Sequence, residues 1–157
     1  MRKKTIEDYA ELIYILEKKK SKVHTNDVAN ALHISPASVT EIFQKLNEEG
    51  YINYEKYSGV RLTPKGKKIA VDTKRKHDTL KSFLMILGVS EDIADEDACK
   101  IEHITHPQTM KRFTKFVEFV QKFNHEPKWL THFQHYYLTG EYLPCQGDEL
   151  KRINQTE

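Results

Sequence analysis

The spacing of apolar residues changes at Gly50, and this change limits the fold of the 157-residue chain more than any other sequence feature. Over residues 36–49 apolar side chains recur at helical spacing behind Ser35-Pro36, a typical helix start, and Gly50 is predicted to end the helix. Over 51–55 and 60–62 the period is two, with a Gly-containing loop between. An antiparallel hairpin is therefore predicted directly after the helix.

Two further helices are predicted before this one. Thr5 and Asp8 have the spacing of a capping box at the start of a helix over about 5–20. Thr25-Asn26-Asp27 is predicted to cap a short helix that follows. Two short helices a few residues apart form a helix-turn-helix, and the hairpin adds a wing. The sequence therefore predicts a winged helix-turn-helix domain over residues 1–71.

The rest of the chain is predicted to be all-helical, so the fold is expected to be mainly α. Thr63-Pro64 begins a long helix, Ser90 caps a second, and Pro107 begins a third that carries a broad apolar stripe. A unit this small needs a partner to bury the stripe. A second copy of the chain is the simplest partner, because it presents the same apolar surface. We therefore expect residues 72–123 to form a dimerisation domain and the protein to be a homodimer.

The composition excludes several classes of protein. Charged residues make up 31% of the chain and no long apolar run is present, so we expect no membrane partner and a cytoplasmic location. Cys99 and Cys145 are too few for a disulfide framework. The six glycines form neither of the common phosphate-binding loops.

The charge is distributed unevenly along the chain. Residues 1–87 carry 17 Lys and Arg against 11 Asp and Glu, whereas residues 88–157 carry 8 against 12. A basic first half favours a polyanionic partner, and double-stranded DNA fits the predicted winged helix.

The second helix of a helix-turn-helix lies in the major groove with its first residues at the base edges. Glu41 is unusual there, because a carboxylate needs a cytosine donor or a partner such as Lys45. Winged helices also serve as protein-interaction modules, which is the alternative reading. The predicted DNA-binding residues are Ser35, Pro36, Ala37, Ser38, Thr40, Glu41, Gln44 and Lys45 on the helix, with Tyr57 and Arg61 on the wing.

Side chains of metal-ligand type recur at helical spacing. Asp8 and Glu11 are three residues apart, and Cys99 precedes Glu102 and His103 by three and four residues, which predicts one helical face for each set. His77 lies midway along the long helix. Each has an ordinary explanation alone, but together they favour a cation. The predicted metal ligands are Asp8, Glu11, His77, Cys99, Glu102 and His103, which makes the all-helical half a metal-binding and dimerisation domain.

The donor types limit the choice of metal. Three carboxylates and two imidazoles suit octahedral Mn(II) or Fe(II), and the single thiolate allows Zn(II) or Co(II) as substitutes. Residues 124–157 are aromatic-rich without a clear period, and we expect a packed extension with a frayed tail. A second site there is the alternative to exposed tail histidines, and it would use His125, His132, His135 and Cys145.

The motifs together resemble those of a known family. They are Asp8-Tyr9 through Glu11, Ser35 through Gln44, Glu55-Lys56-Tyr57 with Gly59, Leu62 through Gly66, His77, Gly88, and Cys99-x-x-Glu102-His103. Over about residues 3–123 the chain resembles the diphtheria-toxin-repressor family of metal-dependent transcription regulators, and within it the manganese transport regulator branch most closely.

The resemblance implies a specific function and a mixed ligand set. It implies a repressor of metal-uptake genes that depends on manganese or iron and binds a palindromic operator as a homodimer. Five of the six predicted ligands match positions of the manganese branch. Cys99 departs from them, since that branch has glutamate there and the iron-responsive branch has cysteine. Conversely, the iron branch has methionine in place of Asp8.

Two other functions fit parts of the pattern. A metal-independent winged-helix regulator would respond to an organic ligand instead. A small metallohydrolase would need a general base and a substrate pocket, and it would leave the basic half unexplained. We therefore expect a regulator and not an enzyme.

Overall fold

The computed structural model describes residues 1–56 and 58–144. Tyr57 and Cys145, named above, lie outside the described residues. Within that part the chain is mainly helical, and its strands form one two-stranded sheet. The elements are α1 (Lys3–Lys19), α2 (Thr25–Leu32), α3 (Pro36–Glu48), β1 (Ile52–Glu55), β2 (Gly59–Leu62), α4 (Pro64–Ile86), α5 (Glu91–Ile101), α6 (Pro107–Val120) and α7 (Lys128–Thr139).

The first half is a winged helix-turn-helix, as predicted. Helices α1 to α3 and the antiparallel β1–β2 hairpin enclose one apolar core, and the Tyr9 ring of α1 meets the Phe43 ring of α3 edge-on at 6.4 Å. The buried residues of this core are Ile6, Tyr9, Ile13, Val23, Val28, Ala29, Val39, Phe43, Leu46, Ile52 and Val60.

Helix α4 connects the wing to the second half. The Thr63 hydroxyl accepts a hydrogen bond from the Gly66 N–H at 3.1 Å, and Pro64 occupies the first turn, as the sequence predicts. A Cβ at Gly66 would lie 2.0 Å from the Tyr51 carbonyl oxygen. Glycine therefore allows α4 to begin directly against the residue that leads into β1, and the helix then packs on α1, α5 and α6.

The second half has a smaller apolar interior. Leu80, Ala98 and Met110 form its buried cluster, and Phe113 packs against it. The Trp129 ring of α7 lies 5.9 Å from that of Phe116 in α6. No helix in the described ranges is both long and apolar enough to cross a membrane.

Two predicted helix starts are wrong in detail. Helix α1 begins at Lys3 and its N-cap, Arg2, makes no side-chain cap, so Thr5 lies inside the helix and forms no capping box. Helix α2 is capped one residue earlier than predicted, by His24, whose backbone N–H donates to Asp27 at 2.8 Å. In both cases the cap depends on local backbone conformation, which spacing alone does not specify.

Two further differences concern the second half. Helix α5 ends at Ile101, so Glu102 is its C-cap and His103 lies beyond the helix instead of on it. Residues 128–139 form α7 where the sequence predicted only an unpatterned extension. Leu130 is the residue of α7 that is buried, and a helix that buries so little of one face has no apolar period to detect.

Candidate metal centre and nucleic-acid interface

Different faces of helix α1 contact the two halves of the chain. Ile6, Tyr9 and Ile13 are buried in the core of the first half, as helical spacing requires. Asp8 lies on another face, and its Oδ1 is 2.8 Å from Nε2 of His103, which follows α5. The helix therefore joins the two halves of the chain through a polar contact.

Three of the predicted ligands meet at this contact. Asp8, Glu102 and His103 each offer one donor atom, and these atoms lie within 4.8 Å of one another. Glu102 Oε1 is 3.2 Å from His103 Nε2, and the Glu102 side chain is almost fully buried. Two carboxylates and an imidazole that converge in this way, with the Glu102 and His103 side chains buried and Asp8 partly exposed, form a donor set suited to a divalent cation.

The His103 ring provides a test of whether a cation fits. Its Nδ1 lies 2.9 Å from Glu7 Oε2, which makes Nδ1 the ring atom that carries the proton of a neutral imidazole. Its Nε2 is buried and forms no hydrogen bond, although Asp8 and Glu102 oxygens lie beside it. The lone pair of Nε2 then faces the lone pairs of two carboxylates, which repel it. A metal ion bound between these atoms would replace the repulsion with attraction.

The other predicted ligands surround this group of three. His77 Nδ1 lies 3.0 Å from Glu102 Oε2, so His77 contacts the group through Glu102. Glu11 and Cys99 lie outside the group of converging atoms. Both are nonetheless close enough for the Glu102 charge to raise their pKa values.

Burial and mutual repulsion dominate the electrostatics. Loss of water contact, with the nearby Glu102 charge, raises the pKa of Glu11 to about 7, and His77 opposes this only in part. Burial likewise raises the pKa of Asp8. Cys99 is exposed, but partial desolvation and the charges of Glu102 and Asp8 raise the pKa of its thiol. Negative charge is therefore in excess here, which favours a cation.

The hydrogen bond that the protonated His77 ring donates from Nδ1 to the Glu102 carboxylate is the main reason that the pKa of His77 is raised. The other ring nitrogen, Nε2, lies 3.2 Å from Asp95 Oδ1. Sequence reasoning missed both Asp95 and Glu7. Asp95 was detectable, since Asp95, Cys99 and Glu102 recur at i, i+4 and i+7 on one face. Glu7 and His103 are 96 residues apart, and no local pattern joins them.

Those predicted DNA-binding residues that the structure describes lie at the exposed side of α3 and on the wing. Pro36, Ala37, Glu41, Gln44 and Lys45 are exposed, as is Arg61 on β2. The core side of α3 is formed by Val39, Phe43 and Leu46.

Three hydroxyls of this surface have partners within the helix. The Ser35 hydroxyl accepts a hydrogen bond from the Ser38 N–H at 3.1 Å, and the two hydroxyls are 2.8 Å apart. Thr40 donates to the Pro36 carbonyl at 2.9 Å. These hydroxyls therefore stabilise the first turn of α3 in addition to lying on its exposed side.

The histidines of the C-terminal extension do not form a second cluster in the part of the chain that is described. His125 is exposed, whereas His132 and His135 are partly buried on α7. Among residues 1–56 and 58–144, the group of three or more metal-ligating side chains that converges is that of Asp8.

Comparison with known proteins identifies the family of both halves of the chain. Residues 1–60 match the N-terminal DNA-binding domain of the iron-dependent repressors, and residues 63–131 match their metal-binding and dimerisation domain. The HTH-type transcriptional regulator MntR of Geobacillus thermodenitrificans (strain NG80-2) is 41% identical over 118 residues, which cover 75% of this chain and 84% of that relative.

Solved structures of similar fold include a protein named as a manganese regulator. The manganese regulator SloR is 31% identical with a TM-score of 0.64, and ScaR with bound Zn²⁺ is 30% identical with a TM-score of 0.62. Each alignment covers 73% of this chain and 54% of the solved one, so the chain spans about half the length of those structures. The predicted family and the mainly helical two-domain fold are confirmed, and the chain belongs to the iron-dependent repressor family.

Proposed function

We propose that the chain is a cytoplasmic DNA-binding transcriptional repressor that senses Mn(II) or Fe(II) and controls metal-uptake genes. The observation that carries this proposal is the convergence of Asp8, from the DNA-binding half, with Glu102 and His103, from the metal-binding half. A site that draws its ligands from both halves links metal occupancy to their relative position.

The ligand set supports this choice of metals. Asp8, Glu102 and His103 would hold the ion, with His77, Glu11 and Cys99 completing its coordination. Carboxylate oxygens suit manganese, whereas the thiol of Cys99 is a softer donor that also accepts iron, zinc or cobalt. When bound, the ion supplies positive charge that offsets the repulsion among the carboxylates.

Helix α1 gives the centre a physical route to DNA. Asp8 is adjacent to Tyr9, whose ring contacts Phe43 of α3. Any change in the position of α1 relative to α5 is therefore passed to the helix whose exposed face is predicted to read DNA. In a homodimer this sets the spacing of two such helices, which must match half-sites about 34 Å apart.

The direct test is DNA binding with and without metal. DNA sequences are selected from a random pool with the full chain and Mn²⁺, and affinity for the selected site is measured by fluorescence anisotropy. We expect enrichment of a palindrome and an affinity about 5- to 150-fold higher with Mn²⁺ or Fe²⁺ than without. Equal affinities would remove metal from the mechanism and favour a regulator with an organic ligand.

Matched variants separate the two halves of the proposal. Glu102→Gln keeps the shape of a buried side chain but removes its charge, and we expect it to abolish the metal response while leaving the fold intact. Lys45→Ala, on the exposed face of α3, is expected to weaken DNA binding at every metal concentration without changing metal affinity. Elemental analysis of the purified protein identifies the metal that it retains.

A further inference from the structure

Each histidine at the metal centre has one ring nitrogen directed to the centre and the other directed to a carboxylate outside the predicted ligand set. For His103 these are Nε2, toward Asp8 and Glu102, and Nδ1, toward Glu7 at 2.9 Å. For His77 the order is reversed, because Nδ1 lies 3.0 Å from Glu102 and Nε2 lies 3.2 Å from Asp95.

Both outer carboxylates form ion pairs with lysines. Glu7 Oε1 lies 3.6 Å from the Nζ atoms of Lys3 and Lys76, so its Oε2 is the atom presented to His103. Asp95 Oδ1 lies 2.9 Å from Lys81 Nζ, one helical turn after His77 on α4. Each imidazole therefore contacts a carboxylate on the side away from the centre, and that carboxylate contacts a lysine ammonium group in turn.

The two arrangements differ in their surroundings. Glu7 is buried, and it joins α1 to the segment after α5. Asp95 is half-exposed and joins α5 to α4 within the second half. The neutral histidine side chain in water prefers the proton on Nε2, so the contact with Asp95 reinforces the preferred form of His77. The contact with Glu7 instead imposes the less common form on His103.

We propose that Glu7 and Asp95 are positioning residues, which fix the ring orientation and the protonated nitrogen of His103 and His77 and so direct Nε2 of one and Nδ1 of the other toward the metal. The proposal rests on the proposed function, since it assigns roles at the same centre. A ligating histidine whose second nitrogen donates to a carboxylate is oriented before the metal arrives and is a stronger donor. The lysines contribute by restricting the rotamers of the two carboxylates.

The Glu7 role is tested by the protonated nitrogen of His103. Long-range ¹H–¹⁵N correlation spectra of the metal-free, ¹⁵N-labelled full chain are recorded at a pH where both imidazoles are neutral. We expect the proton of His103 on Nδ1 in the wild type, on Nε2 in Glu7→Met, and on Nδ1 again in Glu7→Gln, whose amide oxygen still accepts a hydrogen bond. The same tautomer in all three proteins would overturn the role of Glu7.

The Asp95 role is tested by Mn²⁺ affinity, measured by calorimetric titration of folded variants. We expect Asp95→Ala to bind Mn²⁺ about 10- to 100-fold more weakly than the wild type and Asp95→Asn to recover most of the loss. Glu91→Ala is the matched control, because it removes the other carboxylate that contacts Lys81, at 3.1 Å, without touching His77. An equal loss in Asp95→Ala and Glu91→Ala, or no loss in either, would overturn the role of Asp95.

The outcomes distinguish this proposal from the function on which it rests. A wild-type chain that binds no Mn²⁺, Fe²⁺, Zn²⁺ or Co²⁺ overturns both. A wild-type chain that binds Mn²⁺, with tautomers and affinities unchanged in the Glu7 and Asp95 variants, overturns the positioning roles alone.

Discussion

The two halves of the chain are held together by different forces. The first half has a continuous apolar core that runs from Ile6 in α1 to Val60 in β2. The second half has a smaller apolar cluster around Leu80, beside the buried carboxylate of Glu102. Burial of a carboxylate costs free energy unless a partner compensates it. The DNA-reading half is therefore stable by packing, whereas the order of the sensing half depends on charge.

The largest effect is expected from removing a core side chain of the first half. Phe43 is fully buried, so Phe43→Ala is expected to cost about 3–5 kcal/mol of unfolding free energy. Phe113→Ala, at the edge of the smaller cluster, is expected to cost less. Urea unfolding followed by circular dichroism measures both variants. Equal losses would contradict the contrast between the halves.

Metal addition is expected to stabilise the halves unequally. A ligand that binds the folded state contributes about 2.7 kcal/mol at a free concentration of 100 times its Kd. We expect Mn²⁺ to increase amide protection mainly around His77, residues 99–103 and the first turns of α1. Hydrogen-exchange mass spectrometry measures this, with Glu102→Gln as the unresponsive control. Uniform protection of α2, α3 and the wing to the same extent would contradict the prediction.

A change on the DNA-reading face should leave the metal centre unaffected. Gln44 is exposed on α3, so Gln44→Ala is expected to cost about 1–3 kcal/mol of binding to the selected DNA site if its amide contacts a base. Mn²⁺ affinity without DNA should stay the same, because Gln44 is exposed on α3 and is not one of the converging residues Asp8, Glu102 and His103. Fluorescence anisotropy and calorimetry are the two measurements. A parallel loss of metal affinity would show that the halves are not separable.

The smallest expected effect concerns the choice of metal. Cys99→Glu replaces a soft sulfur donor with a hard oxygen donor. We expect the affinity for Mn²⁺ relative to Zn²⁺ to rise about tenfold, which corresponds to about 1.4 kcal/mol. Cys99→Ser is the control, because it removes the sulfur without adding charge. Competition titrations measure the ratio, and an unchanged ranking in both variants would exclude the thiol from metal selection.

The fold was predictable where sequence signals are local. The Ser35-Pro36 helix start, the β1–β2 hairpin and the Thr63-Pro64 helix start each have sequence signals within a few residues, and the structure has all three elements. Helix α7 was not predictable, because so few of its side chains are buried that its sequence carries no apolar period. Pattern reasoning detects a helix through the face that it buries.

The site was predictable in its parts but not in its assembly. Helical spacing predicted Asp8 and Glu102 as candidate ligands. The distance between them, however, depends on how α1 packs against the end of α5. His77 was a candidate by residue type alone, since no local pattern joins it to the others, and the resemblance to a known family strengthened it. The roles of Glu7 and Asp95 depend on which ring nitrogen each one faces, and only three-dimensional coordinates contain that information.

The close approach of Gly66 to Tyr51 has a consequence for a residue far from it. His77 lies eleven positions further along α4, which is about 16 Å at 1.5 Å per residue. A side chain at position 66 would collide with the Tyr51 carbonyl and tilt the start of the helix. Because a helix of this length moves almost as a rigid rod, a tilt of a few degrees would displace the imidazole by about an ångström. The position of the His77 imidazole thus depends partly on the packing of Gly66 against Tyr51, although neither residue is a predicted metal ligand.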